Sequence, residues 1–128
     1  MLADGSAIDA ARWQSEQGGG PFLLYVWAAW CSVCRVIEGN IDDAARALPV
    51  LTVAMQSGSR GDVQRLLASR GLDWPTLVDE TGALARGLGV DAVPTLLFVD
   101  GDGRVRAATR GYTSRAGIRL RMWWAARS

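Results

Sequence analysis

The sequence predicts an α/β domain, a central mixed β-sheet flanked by helices, and three observations predict it. Apolar runs of strand length stand at 23–27, 50–55 and 95–99, with stretches of helical spacing between them. The turn Asp100-Gly101-Asp102-Gly103 separates the third run from 104–109 and reads as a hairpin. The first run passes through a short loop into Cys31-Ser32-Val33-Cys34 and then into a helix-period pattern. With 128 residues, of which 49% are hydrophobic, the chain reads as one domain over 1–128. A domain of that size buries roughly two-thirds of the surface its unfolded chain exposes.

The elements follow in order. Ser6, with Asp9 three residues on, opens a short helix with Ile8, Ala11, Trp13 and Gln17 on one side. It closes at Gly18-Gly19-Gly20-Pro21, so residues 1–20 form an N-terminal helical arm. The strand 23–27 is continuously apolar, as a central strand covered on both faces must be. From Val33, apolar residues recur at Ile37, Ile41, Ala44 and Leu48, with Glu38, Asp42, Asp43 and Arg46 opposite. Gly39 permits a bend within that helix. After the strand 50–55 and a loop at 57–61, Asp62 caps a helix with apolar positions Val63, Leu66 and Leu67, ending at Gly71. A short strand at 76–78 and a short helix at 83–88, closed by Gly89, precede the strand 95–99. Thr113 or Ser114 caps the last helix, 115–126. That helix carries Arg115, Arg119 and Arg121 beside Ile118, Met122, Trp123 and Trp124, and reads as an amphipathic helix packed on the sheet with a solvated basic face.

Composition excludes several chemistries. The chain has no histidine, and all 14 of its basic residues are arginine. Ser-His and Cys-His nucleophile pairs, a lysine Schiff base and a lysine-bearing phosphate loop are therefore absent. Two cysteines cannot build a four-thiolate metal site within one chain. A net charge of +1 gives no bulk attraction to nucleic acid. The longest apolar run, 21–31, is too short to span a bilayer. Asp100-Gly-Asp-Gly opens like a calcium loop, but no glutamate follows at the twelfth position, so it is read as a turn.

The two cysteines carry the candidate chemistry. A CxxC near a strand–helix unit reads as a redox pair. A helix N-terminus presents unsatisfied N–H groups and about half a positive charge, which favours a thiolate, the reactive form. Cys31 at that end attacks a disulfide, and Cys34, one turn in and more shielded, resolves the mixed disulfide. Trp30 precedes the nucleophile and is assigned to the docking surface; Trp27 is assigned to the core.

WAAWCSVC resembles the WCxxC signature of thioredoxin-like proteins, and Val93-Pro94-Thr95 resembles their cis-proline loop. LLYVWAAWCSVC, VAMQSG and RGYTSRAGIRLRMWWA resemble the TlpA/ScsD group of bacterial thiol-disulfide oxidoreductases, over about residues 20–127. The resemblance implies a thioredoxin-like fold with a TlpA-like helix–strand insert at 61–80. It implies a cis Pro94 beside Cys31, and a Val93 backbone that pairs with a substrate strand. It implies protein thiols and disulfides as substrates, no cofactor beyond the Cys31–Cys34 disulfide and no metal. It further implies a DsbD-type membrane thiol reductase as electron donor, a role under copper stress, and a periplasmic location with an N-terminal membrane anchor preceding this sequence. One departure stands out. Thioredoxin holds a buried aspartate six residues before its first cysteine, and here that place holds Tyr25, so no residue is assigned as base for Cys34. The dipeptide Ser32-Val33 lacks the histidine of strongly oxidising relatives, so a less oxidising pair is expected. The rival readings are a Cu(I) carrier using both thiolates, which suit soft metals, and a thiol peroxidase. Against the second, Ala28 and Ala29 stand where that variant carries Thr and Pro.

Overall fold

Phe22–Trp27 forms β1, the middle strand of a five-stranded sheet. The computed structural model describes residues 10–127, so Ser6, Ile8 and Asp9 lie outside the described residues. The other strands are β2 (Val50–Met55), β3 (Thr76–Asp79), β4 (Thr95–Val99) and β5 (Val105–Arg110). The helices are α1 (Ala10–Glu16), α2 (Ser32–Ala45), α3 (Arg60–Ser69), α4 (Ala83–Gly87) and α5 (Arg115–Ala126). The strand order is β3-β2-β1-β4-β5. β1 runs parallel to β2 (Leu23 opposite Val50) and antiparallel to β4 (Val26 opposite Thr95). The sheet is therefore mixed, as expected.

Successive side chains of β1 point to opposite faces, and both faces are covered, which is why the run carries no alternation. Leu23, Tyr25 and Trp27 join a core with Ile37 and Ile41 of α2, Val63 and Leu67 of α3, and Ile118 and Met122 of α5. Phe22, Leu24 and Val26 face a second core with Leu51, Val53 and Leu77, closed by Trp13 of α1 and Ala85 of α4. At the far edge, β5 is largely exposed and carries Arg106 and Arg110, charges that discourage edge pairing.

Four expectations need correction. α3 is capped by Ser59, not Asp62; Asp62 is the third residue of a capping box, bonded back to the Ser59 amide. In α1, Ala11 and Gln17 are exposed, and the buried partner of Trp13 is Gln14. Its amide donates to Gly20 O at 2.9 Å and Asp100 O at 2.8 Å, tying the arm to the hairpin turn. Val33 is exposed; the buried face of α2 starts at Cys34. Leu48 lies beyond the end of α2. α2 runs uninterrupted through Gly39. Asp100, 1% exposed, accepts from the Asp102 and Arg104 amides and from Arg106, so its carboxylate holds the turn together. Ser114 is the cap of α5.

One polar chain crosses the interior. Trp27 Nε1 donates to Thr52 Oγ1 at 3.1 Å, the Thr52 and Thr76 hydroxyls are 2.6 Å apart, and Thr76 Oγ1 donates to Trp74 O at 3.0 Å. Because Thr76 spends its proton on Trp74, Thr52 must donate to Thr76, and the donor order is fixed along the whole chain. Thr52→Val preserves the shape and removes the middle hydroxyl, leaving the buried indole N–H unsatisfied. It is expected to lower unfolding free energy by about 1–3 kcal/mol in urea denaturation, with an unchanged slope.

Candidate active site

β1 ends at Trp27, and only 28–31 separate it from the first turn of α2. Within that link the Ala29 amide donates to Ser57 Oγ at 2.8 Å, and the Trp30 indole N–H donates to Gln56 O at 3.0 Å. Ser57 in turn donates to Met55 O at 3.0 Å. Gln56 adopts φ 48, the left-handed region that non-glycine residues rarely occupy. That conformation turns the chain at the end of β2, where the Gln56 carbonyl meets Trp30. Sequence reading singled out VAMQSG for resemblance alone and missed this clamp; the Gln-Ser-Gly turn chemistry after a buried strand was the available signal.

The clamp delivers Cys31 to the N-cap of α2. Its backbone is extended (φ −94, ψ 113), and its Sγ accepts the Cys34 amide at 3.2 Å, the bond a serine or aspartate makes at ordinary N-caps. Both thiols are free, and they are 8% and 4% exposed, Cys34 being the more shielded. Cys34 lies among donors and acceptors. Cys31, the Ala28 backbone and Tyr25 are its polar neighbours. Burial, above all, and the bond to Cys31 push the Cys34 thiol up to about 12. The two thiols are thus inequivalent by construction. The outer sulfur receives hydrogen bonds, and the inner one keeps its proton.

The remaining predicted residues sit at the same end of the sheet. Val26 pairs with Thr95, so Val93 and Pro94 lie beside the end of β1 that carries the Cys31 loop. The Val93–Pro94 bond is cis, and Val93 packs against the core that contains both cysteines. The Pro94 carbonyl accepts the Gly111 amide at 2.9 Å, which brings exposed Tyr112 to this end. Trp30 is 62% exposed despite its anchored nitrogen, and Val33 and Val36 are exposed on the first turns of α2. Trp27 is buried, edge-on to Trp74, as assigned. Glu38 is held by Arg35 at 3.3 Å and Arg70 at 3.0 Å. On α5, Ile118, Met122 and Ala125 are buried and Arg119 pairs with Asp43, while Trp123 and Trp124, grouped with the apolar residues in the sequence reading, are exposed. Among the described residues no cluster of three or more metal-ligating side chains occurs, and no helix is long and apolar enough to cross a membrane.

A sheet of this order, with a CxxC capping the helix after its central strand and a cis proline at the same end, defines a protein of the thioredoxin-like class. The chain belongs to the redoxin family, whose model matches residues 3–118. A thioredoxin-like protein of Haemophilus influenzae is 31% identical over 106 residues, 82% of this chain and 63% of that protein. The thiol:disulfide interchange protein DsbE of Xylella fastidiosa is 30% identical over 99 residues, 76% of this chain and 50% of that one. The chain therefore spans between half and just under two thirds of these relatives' lengths. The crystal structure of the exposed lipoprotein thioredoxin Etrx1 of Streptococcus pneumoniae matches with a TM-score of 0.78 at 28% identity, covering 97% of this chain and 96% of that one.

The raised Cys34 thiol has a consequence for alkaline stability. The folded chain holds this proton more tightly than the unfolded chain, where the thiol titrates near its ordinary 9.0. Its contribution is complete below about pH 9 and is lost as pH rises toward 12. Urea denaturation of the reduced protein between pH 8 and pH 11 is expected to show a steeper alkaline fall for the parent than for Cys34→Ala.

Proposed function

We propose that this chain is a thiol–disulfide oxidoreductase that exchanges disulfides with protein substrates outside the cytoplasm. The observation that carries the reading is the inequivalent pair: Cys31 caps α2 through its sulfur, while Cys34, one turn in, retains its proton. The steps follow from it. Cys31 attacks one sulfur of a substrate disulfide and the other leaves as a thiolate. The mixed disulfide lies along Val93 and Pro94, where exposed Trp30, Val33, Val36 and Tyr112 meet an apolar stretch of the substrate chain. Cys34 then attacks Cys31, the substrate sulfur leaves, and the enzyme is left oxidised. The likeness to interchange proteins and to an exposed lipoprotein thioredoxin supports both the chemistry and the extracytoplasmic location.

Within that reading the protein works as a TlpA/ScsD-type reductant, fed by a DsbD-type membrane reductase, tethered by an anchor preceding this sequence, and used under copper stress. The WCSVC stretch and the closing RGYTSRAGIRLRMWWA support this assignment, as does the absence of histidine between the cysteines.

Two measurements test the reading. Cys34→Ser is expected to accumulate mixed disulfides with extracytoplasmic proteins that a reductant releases, and Cys31→Ser to accumulate none. Equilibration with glutathione buffers, read by thiol alkylation, is expected to give a reduction potential well below about −200 mV. A value near about −120 mV would mark an oxidant and overturn the reductant assignment. A chain that formed no reversible disulfide would overturn the enzyme reading and put Cu(I) binding first.

A further inference from the structure

The last helix, α5, is apolar on two faces. Ile118, Met122 and Ala125 form the buried one. Leu120, Trp123 and Trp124 lie on the other side of the helix, each half exposed or more. Their spacing of three and four residues lines them up as one outward stripe. Arg127 continues it one turn on, with its guanidinium 4.3 Å from the centre of the Trp123 ring. Trp123 is also one wall of a hollow of about 460 Å³, beside Pro21, Leu48, Pro49, Met122 and Ala126. Packing inside the domain accounts for the inner face of α5. It gives no reason for two tryptophans on the outer one, and contiguous exposed apolar surface marks a contact site.

The charge around the stripe has one sign. Residues 103–128 hold seven arginines and no acid. Arg119 pairs with Asp43 of α2 at 3.4 Å. Arg121 donates to the Gly117 carbonyl of its own helix and Arg127 lies on Trp123, so among the described residues no carboxylate neutralises either. From 115 to 127 no side chain carries a carboxylate, carboxamide or hydroxyl. A protein partner typically forms about ten hydrogen bonds across an interface, and the side chains of this face can accept none. A second copy in a two-fold contact would set Arg121 and Arg127 against their own kind. An anionic surface that needs no acceptor in return is the complementary occupant.

We propose that the outer face of α5 docks on an anionic lipid surface, with Leu120, Trp123 and Trp124 in the headgroup layer and Arg121 and Arg127 on lipid phosphates. Tryptophan suits that layer, having an apolar ring and a polar N–H. Arginine reaches phosphate while its stem stays beside the rings. The hollow at Trp123 adjoins Pro21 and Pro49, which lead into β1 and β2. The Cys31 link leaves β1 from its other end, roughly 20 Å away for six residues of strand. A domain docked in this way holds its cysteines away from the lipid and open to a protein. The inference goes beyond the exchange chemistry and does not depend on it.

The test is sedimentation of the chain with vesicles of phosphatidylcholine alone, and of phosphatidylcholine with an equal part of phosphatidylglycerol. Binding is expected to the mixed vesicles only, weakening as salt is added. Trp123→Gln/Trp124→Gln is expected to lower the partition coefficient about tenfold or more. Arg121→Gln and Arg127→Gln should lower it about fivefold each. Trp30→Gln, at the cysteine end, should leave it unchanged. Acyl chains brominated near the headgroup should quench tryptophan emission of the bound parent and spare that of bound Trp123→Phe/Trp124→Phe. Equal binding to both kinds of vesicle, or binding lost in Trp30→Gln and kept in Trp123→Gln/Trp124→Gln, would overturn the proposal. So would absence of binding to the mixed vesicles; a parent dimer that Trp123→Gln/Trp124→Gln turned into a monomer would assign the face to a second copy instead. Disulfide exchange by Trp123→Gln/Trp124→Gln in solution should match the parent, so failure on lipid and failure of the exchange reading are distinguishable.

Discussion

The connection from Trp27 to Cys31 is the constraint on which the rest depends. A strand buried on both faces must hand over to a helix within four residues, and the handover must leave a sulfur at the helix end. Unrestrained, so short a link would admit several paths. Here the neighbouring turn removes that freedom: Ser57 takes the Ala29 amide and Gln56 takes the Trp30 indole. Gln56 holds an unfavourable backbone conformation to do so. The parallel pairing of β1 with β2 brings that turn within reach, because parallel strands end at the same edge of the sheet. Topology, loop strain and nucleophile placement are in this sense one arrangement.

Most of the fold was legible in the sequence. β2 and β4 have the predicted bounds, and β1 differs by one residue, because a central strand leaves a dense apolar run and little ambiguity. The misplaced details each turn on a choice that a local pattern leaves open. Ser59 and Asp62 are both competent caps, and only the geometry of a capping box assigns them their places. Val33 has the hydrophobicity of a core residue, but its phase on α2 points it outward. Gln14 had no place in the sequence reading, because its burial depends on a hairpin-turn carbonyl 86 residues away in sequence, a contact beyond the reach of any local rule.

The site was legible in a narrower way. Cys31, Cys34 and Pro94 carry local patterns, and their placement follows from them. Tyr25 was visible only as a residue out of keeping with its resemblance. The supports at Gln56 and Ser57 carry no chemistry of their own and act through backbone and hydroxyl groups that many sequences could supply. Reactive side chains announce themselves by type; the groups that aim them are recognised by position.

The cap made by Cys31 couples redox state to folding through a closed thermodynamic cycle. The Cys34 amide is bonded to a free sulfur in the reduced chain, and a Cys31–Cys34 disulfide changes that acceptor. The first turn of α2 is therefore fastened differently in the two redox states. The difference in unfolding free energy between reduced and oxidised chains must equal the gap between the potential of the folded pair and that of the same two cysteines in an unfolded chain, at about 30 mV for each 1.4 kcal/mol. For this chain, electrochemistry and calorimetry measure one quantity from two sides.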